Sequence, residues 1–339
     1  MTQVTIGFQR PKTWTQVRAK LADYPEIVAL ISFLILFLFF AIRAENFLSL
    51  VSLTNILTIA SIKGIFVVGV AMLMISGEFD LSVGSTLAVA GYIFALTLES
   101  GVTPLLAMLL ALGVSVLLGL INGLIVTKTS IPSFITTLGT LLAYRGIARA
   151  LGGGDFARYT GEKPFLFIIL NGEIEFINQL GTPAGNARLT IIWFVLFVIV
   201  AVIIMRRARY GNWVYATGGN RDAALAQGVR TNFVIVTNFV VTALLAGFAG
   251  LVQFASRPAV DPLRGEGWEL IAVAACVIGG IWLKGGYGTI IGAALGIVLL
   301  QMVEQGLILI GVDVQLFQAT IGLILILAVV VSTYLSKGN

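Results

Sequence analysis

The 339-residue chain is 58% apolar and only 11% charged, with a mean hydropathy of +1.01; soluble domains carry charge on about a quarter of their residues, so a pair of such domains is excluded. Its net charge of +5 is scattered over the gaps between apolar runs instead of gathered into one stripe, which points to membrane orientation and excludes nucleic acid as a partner. With no histidine, and the single Cys276 inside an apolar run, neither an internal disulfide, a Cys/His metal cluster, a Ser-His-Asp triad nor a Cys-His dyad is available.

Residues 1–25 carry Arg10, Lys12, Arg18 and Lys20 and are expected to form a cytosolic N-terminal segment. The apolar run that follows leads into Arg43-Ala-Glu-Asn46 and not into a small-residue cleavage site, so it reads as a retained first span. Windows of about 20 apolar residues predict ten helices. They fall near 26–43, 51–76, 81–99, 103–127, 131–151, 187–206, 231–254, 267–282, 286–305 and 315–335. The expected fold is all-α, one polytopic membrane domain over 26–336, with both termini on the cytosolic side of the bilayer.

Charge sets the orientation. Residues 206–230 hold Arg206, Arg207, Arg209, Arg221 and Arg230 against the single acid Asp222, as a cytosolic segment should. Arg43, Arg145, Arg149, Arg158, Lys163, Arg188, Arg257 and Arg264 then fall outside. The gap at about 152–186, with its apolar patch 165–170, is too small for a core of its own and is expected to form an external loop with a short helix or hairpin.

Within the spans, Lys63 is expected to snorkel or to find an acid. Glu78 and Asp80 sit at the joint between the second and third spans. Asp80 is expected to cap the third helix from below Ser82 and Val83, and Glu78 to pair with a basic group of this chain or a partner. Small residues share helix faces at Gly84 and Ala88 and at Gly288, Gly292 and Gly296, a pattern that lets helices approach closely in lipid. Two Gly-rich joints, Met74–Ser85 and Val277–Gly288, suggest an internal repeat. Neutral polar residues, Asn55, Asn122, Ser133, Thr136, Thr137 and Asn238 among them, suit a path for a polar uncharged solute, or else hydrogen bonds between helices.

Tyr215–Val229 is the most distinctive stretch. Between lipid-grade segments it is polar and helix-forming, with Gly219 before it, Asn220 as a predicted N-cap, Arg221–Gln227 as barely two turns, and Gly228 as a left-handed stop. So short a helix does not hold itself in water, and a soluble partner is the expected support. Arg221, Asp222 and Gln227 would supply polar contacts, and Ala223, Ala224 and Leu225 would pack in the partner's groove. The coupling segment spans about 207–230. No G-x-x-x-x-G-K-[ST] is present, so any driving nucleotide binds elsewhere.

Ser76-Gly-Glu-Phe-Asp-Leu-Ser-Val-Gly-Ser85 resembles the "G-I-D-L-S-V-G" signature of ribose/xylose/arabinose-type ABC importer permeases. Gly119-Leu-Ile-Asn-Gly123 is similar to their "G-x-x-N-G". Ile131-Pro-Ser-Phe-Ile-Thr-Thr-Leu-Gly139, with Tyr144-Arg-Gly146, is similar to their "I-P-x-F-I-x-T-L-G…R-G". Tyr210–Ala224, ending at Gln227-Gly-Val229, resembles their cytosolic coupling segment. The resemblance implies a type II-like permease of about ten helices in a bacterial cytoplasmic (inner) membrane, paired with a second permease chain. A cytosolic ABC ATPase would dock on the coupling segment, carrying ATP and Mg²⁺, and a periplasmic or extracellular solute-binding protein would deliver the solute; this chain would carry no cofactor and no enzyme activity. Glu78-Phe79 departs from the usual Gly-Ile. The alternative is an ion-coupled secondary carrier.

Overall fold

The computed structural model describes residues 25–129 and 131–313, with Leu316, Ala319, Thr320, Gly322, Leu323 and Ile326 beyond them. The N-terminal segment up to residue 24 and most of the predicted tenth span lie outside the described residues.

Thirteen helices are described: α1 Pro25–Arg43, α2 Leu50–Ile75, α3 Val83–Glu99, α4 Pro104–Thr129, α5 Ser133–Leu151, α6 Phe165–Asn171, α7 Glu175–Asn178, α8 Thr190–Arg207, α9 Arg209–Gly219, α10 Arg221–Ala226, α11 Thr231–Ser256, α12 Trp268–Ile278 and α13 Ile290–Leu309. Two short strands, β1 Ala157–Arg158 and β2 Ala259–Val260, pair antiparallel. Five helices, α2, α4, α8, α11 and α13, are long and apolar enough to cross a membrane, and the protein is multi-pass.

Burial sorts these helices. α2 and α11 lie at the centre, while α4 and α8 turn most of their surface outward, where apolar side chains meet lipid tails. The centre closes through small residues. A methyl group at Gly119 would lie 2.6 Å from the Phe239 carbonyl oxygen, and one at Gly123 would lie 2.8 Å from Val236 Cα, so α4 and α11 touch backbone to backbone. The Gly292 and Gly296 face of α13 packs the same way on Gly279 and Ala275 of α12. α1 closes over α13 through Phe40, Phe47, Leu299, Met302 and Val303.

Two departures from the expected spans matter. α12 has 11 residues, about 16 Å at 1.5 Å per residue, and cannot cross the roughly 30 Å hydrocarbon layer. The predicted eighth span starts where expected but is a half-helix, because Gly280 at φ +87 turns the chain after Ile278 and the Ile281 N–H returns to the Cys276 carbonyl at 2.9 Å. Arg145 does not face solvent but is buried within α5, its guanidinium on backbone carbonyls.

Lys63 finds an acid. Its Nζ lies 3.2 Å from Glu304 Oε2, 3.0 Å from Gln301 Oε1 and 5.6 Å from the centre of the Trp268 ring, joining α2, α12 and α13. Removing one partner of such a buried pair strands the other charge, whereas replacing both is far milder. Lys63→Met is expected to destabilise the protein by a few kcal/mol, on the order of 3, and Lys63→Met with Glu304→Gln to recover most of that in a thermal melt. A double variant no more stable than the single would contradict the pairing.

Candidate functional site

The four motifs quoted above converge on one place, the break between α2 and α3. α2 stops because Gly77, at φ +89, turns the chain away, and the Glu78 N–H returns to the Leu73 carbonyl at 3.2 Å. The extended residues 78–80 leave backbone groups that no helix satisfies, and α5 supplies the missing partners. The Phe79 N–H donates to Ser133 Oγ at 3.0 Å, and Thr137 Oγ1 donates to the Phe79 carbonyl at 3.4 Å.

A polar chain then runs through the membrane-embedded core. Asp80 Oδ1 accepts from the Ser82 N–H at 2.7 Å and from Ser82 Oγ at 2.6 Å. Ser82 Oγ in turn accepts from Asn122 Nδ2 at 2.9 Å, and Asn122 Oδ1 accepts from the Tyr144 hydroxyl at 3.1 Å. Asp80 therefore holds the N–H of Ser82, the residue just before α3. Its second oxygen, Oδ2, has no hydrogen-bond partner among the described residues. Because Asn122 bonds to both sides of this chain, Asn122→Ala is expected to cost about 1–3 kcal/mol through the buried groups it leaves unpaired. A melting temperature of the purified chain unchanged from wild type would refute that accounting.

On the other side of α2, Asn238 of α11 is fully buried; its Nδ2 donates to the Met72 carbonyl and Ser76 Oγ at 3.2 and 3.0 Å, and its Oδ1 accepts from the Tyr210 hydroxyl at 2.7 Å. Below it the backbones of three segments meet. The Gly286 N–H donates to the Ile75 carbonyl at 2.8 Å, and a methyl at Gly218 would fall on that same carbonyl oxygen and 2.6 Å from Gly286 N. The two Gly-rich joints of the predicted repeat thus touch each other and the end of α9. The Gly285-Gly286 pair, both at positive φ, lets the loop between α12 and α13 lie this close.

The rod α10 hangs from this hub. Asn220 Oδ1 accepts from the Ala223 N–H at 3.0 Å, an N-cap, and Gly228 at φ +81 closes the end while the Val229 N–H reaches back to the Ala224 carbonyl. Arg221 donates to Asn232 Oδ1 at 2.8 Å and lies 3.9 Å from Glu78 Oε1, so the rod is tied to the start of α11 and to the break. Burial raises the Glu78 carboxyl above the ordinary carboxylate value, against the Ser133 hydroxyl and the Arg221 guanidinium, which lower it.

Asp222, Ala223, Leu225, Ala226 and Gln227 are exposed, Leu225 by 50%, whereas Ala224 is 5% exposed. Ala224 therefore faces its own chain, and the other residues of the rod are the ones left open. The helical period puts it there: in a two-turn helix held along one side, one apolar position must face the support.

Of the six polar residues expected along a solute path, Asn122, Ser133 and Thr137 gather at the break and Asn238 bonds to the end of α2. Asn122, Ser133, Thr136, Thr137 and Asn238 are buried between helices. Asn55 accepts from Asn186 Nδ2 at 2.8 Å, toward the α2 end remote from the hub. Where lipid gives helices no hydrophobic force to associate, side chains of this kind serve as inter-helix bonds. Sequence reasoning missed Gly218, Gly285 and Gly286 as a hub; their only signal was the density of glycine around residues 218–219 and 285–288.

At the opposite end of α11, about 39 Å away along its 26 residues, lies a cleft of ≈ 830 Å³ beside the β1–β2 ladder. Arg158, Lys163 and Arg257 line it together with Phe156 and Tyr159.

Residues 52–329 match the family described as branched-chain amino acid transport system / permease component. The chain is 34% identical over 286 residues to an autoinducer 2 import system permease protein, LsrC, of Photorhabdus luminescens, covering 84% of this chain and 82% of that one. It is 32% identical over 334 residues to a ribose import permease protein, RbsC, of Escherichia coli K12, covering 98% of each. No solved structure matches it.

Proposed function

Because the chain belongs to this family of transport-system permease components, we propose that it is the membrane subunit of an ATP-driven, binding-protein-dependent importer, and that α10 is where a separate cytosolic ATPase pushes. The observation that carries the reading is the rod itself. It is two turns long, capped at both ends, seated by Ala224, and its outward face of Asp222, Ala223, Leu225, Ala226 and Gln227 is left open. Arg206, Arg207, Arg209, Arg221 and Arg230 gather at the same end, which favours the cytosol for that end. ATP and Mg²⁺ sit on the partner.

Force entering α10 travels by two physical links. Arg221 connects it to Glu78 and Asn232, and the Gly218–Ile75–Gly286 contact connects α9 to the end of α2 and to the loop between α12 and α13. Both links end at the break 76–82, on which α3, α4 and α5 are hung through Asp80, Ser82, Asn122, Ser133 and Thr137.

α5 supplies the wall of the path. It is not among the helices apolar enough to cross lipid by composition, yet one side of it is open; a methyl at Gly139 or Gly146 would meet nothing within 4 Å. Such a face suits a second permease chain and the passage between two copies. The basic cleft beside the β ladder faces the other side of the membrane and receives the solute-binding protein. Relatives named for ribose and autoinducer 2 import favour a small polar uncharged solute, a monosaccharide foremost.

The test is reconstitution in liposomes with the ATPase and binding protein from the same operon. Accumulation of a labelled pentose that needs ATP and both partners is the expected result. Accumulation on a proton or sodium gradient by the purified chain alone would replace the importer with a secondary carrier.

A further inference from the structure

The second irregular segment, 257–267, is pre-shaped by its own contacts. Asp261 accepts from the Leu263 N–H at 3.0 Å and pairs with Arg264 Nε at 2.9 Å; Gly265 and Gly267 take positive φ. Its far side rests on α3, where the Gly265 carbonyl lies against Gly84 so closely that no methyl group fits between them. Glu269, 9% exposed, closes the start of α12 by accepting from the Gly267 N–H at 3.2 Å. One side chain of α5 reaches this segment by hydrogen bonds. Arg145 is 8% exposed, and its Nη1 donates at 2.8 Å to both the Pro262 and the Arg264 carbonyls.

Arg145 lies 12 residues beyond Ser133, about 18 Å up α5. An arginine at such depth costs roughly 3 kcal/mol to insert, and plain packing gives no return for it. Lower down, α5 is hung on the first break by Ser133 and Thr137. Arg145 hangs its upper half on the second. We propose that Arg145 is a positioning residue that makes α5 and the segment 261–267 move as one body, so that the outer mouth of the path opens and closes with the loop beside the β ladder. The proposal rests on the importer reading, which places the path along α5.

Both bonds come from a single nitrogen, so a lysine ammonium, with three donors on one atom, can replace them; a glutamine amide has two donors on one nitrogen but ends two bonds short of the guanidinium Nη1 and does not reach. In the assembled complex, labels at Ala150→Cys on α5 and Leu263→Cys on the segment, both exposed, report the coupling directly by pulsed electron spin distance measurement. The native Cys276 is fully buried and does not interfere. Wild type and Arg145→Lys are expected to give one narrow distance that is the same without nucleotide and with ATP and vanadate. Arg145→Gln is expected to broaden it, and to lower labelled D-ribose taken up per ATP hydrolysed by about tenfold, the size of an ordinary coupling free energy, while basal ATP hydrolysis stays near wild type. A narrow, unchanged distance in Arg145→Gln would overturn the proposal, as would Lys and Gln variants that melt early and lose ATP hydrolysis alike. Absence of ATP-driven D-ribose uptake by wild type would count against the sugar importer reading alone, because the distance measurement still decides Arg145.

Discussion

Gly218→Ala is expected to abolish uptake, at least tenfold down, while Gly219→Ala next to it leaves uptake within about twofold of wild type. The two glycines are neighbours on α9 and differ only in what lies beyond them. A methyl on Gly218 would occupy the position of the Ile75 carbonyl oxygen and lie 2.6 Å from Gly286 N; one on Gly219 would meet nothing within 4 Å. The obstructing atoms are backbone, so no rotamer change relieves the clash. Overpacking of this kind costs about 1–3 kcal/mol, and here it acts on the one place where the end of α9, the end of α2 and the loop before α13 touch. Gly219 ends α9 without a positive φ and has open space beside it, so Gly219→Ala should melt no lower than wild type. Equal uptake by the two variants, with equal amounts in the membrane, would remove the glycine hub from the transmission route.

Leu225→Glu carries the second large effect. Leu225 is half exposed on the free side of α10, and nothing in its own chain depends on it for packing. A buried interface anchor of this size is worth about 2 kcal/mol or more, equivalent to roughly 30-fold in affinity, and the introduced carboxylate adds desolvation. The variant is expected to insert and melt normally, to lose co-purification of the ATPase, and to show no ATP-driven uptake. Ala224→Glu differs in kind: that position is buried against the chain, so its replacement should lower the melting temperature as well. If Leu225→Glu retained the ATPase in a pull-down at wild-type yield, the docking face would lie elsewhere.

Much of this was legible from composition and local chemistry. Apolar runs located the helices, because lipid demands internally bonded backbone over a fixed length. Asn220 and Gly228 marked the ends of α10, since a helix terminus has few ways to satisfy its backbone groups. Glu78 and Lys63 both found partners of opposite charge, as buried ions must. What was not legible depends on distant pairing. The half-length of α12 follows from the turn at Gly279 and Gly280, which an apolar window averages away. The burial of Ala224 follows from which side of the rod meets its own chain. The burial of Arg145 depends on the Pro262 and Arg264 carbonyls, which are 117 and 119 residues away in sequence. Asn122 and Asn238 looked like solute contacts because hydrogen-bonding capacity alone does not reveal whether the partner is a sugar or another helix.

The weak apolarity of α5 also has a consequence for how the protein is made. With Arg145 and Arg149 in its length, each unfavourable by about 2.5–3.5 kcal/mol near a bilayer centre, this helix gains little by leaving the insertion machinery alone. Its polar anchors wait on the break before α3 and on α4, which are synthesised first, but the carbonyls that receive Arg145 emerge more than a hundred residues later. Biogenesis must therefore hold α5 loosely against its predecessors, and its final seating is a late event, completed only when the ribosome has delivered the chain past Arg264.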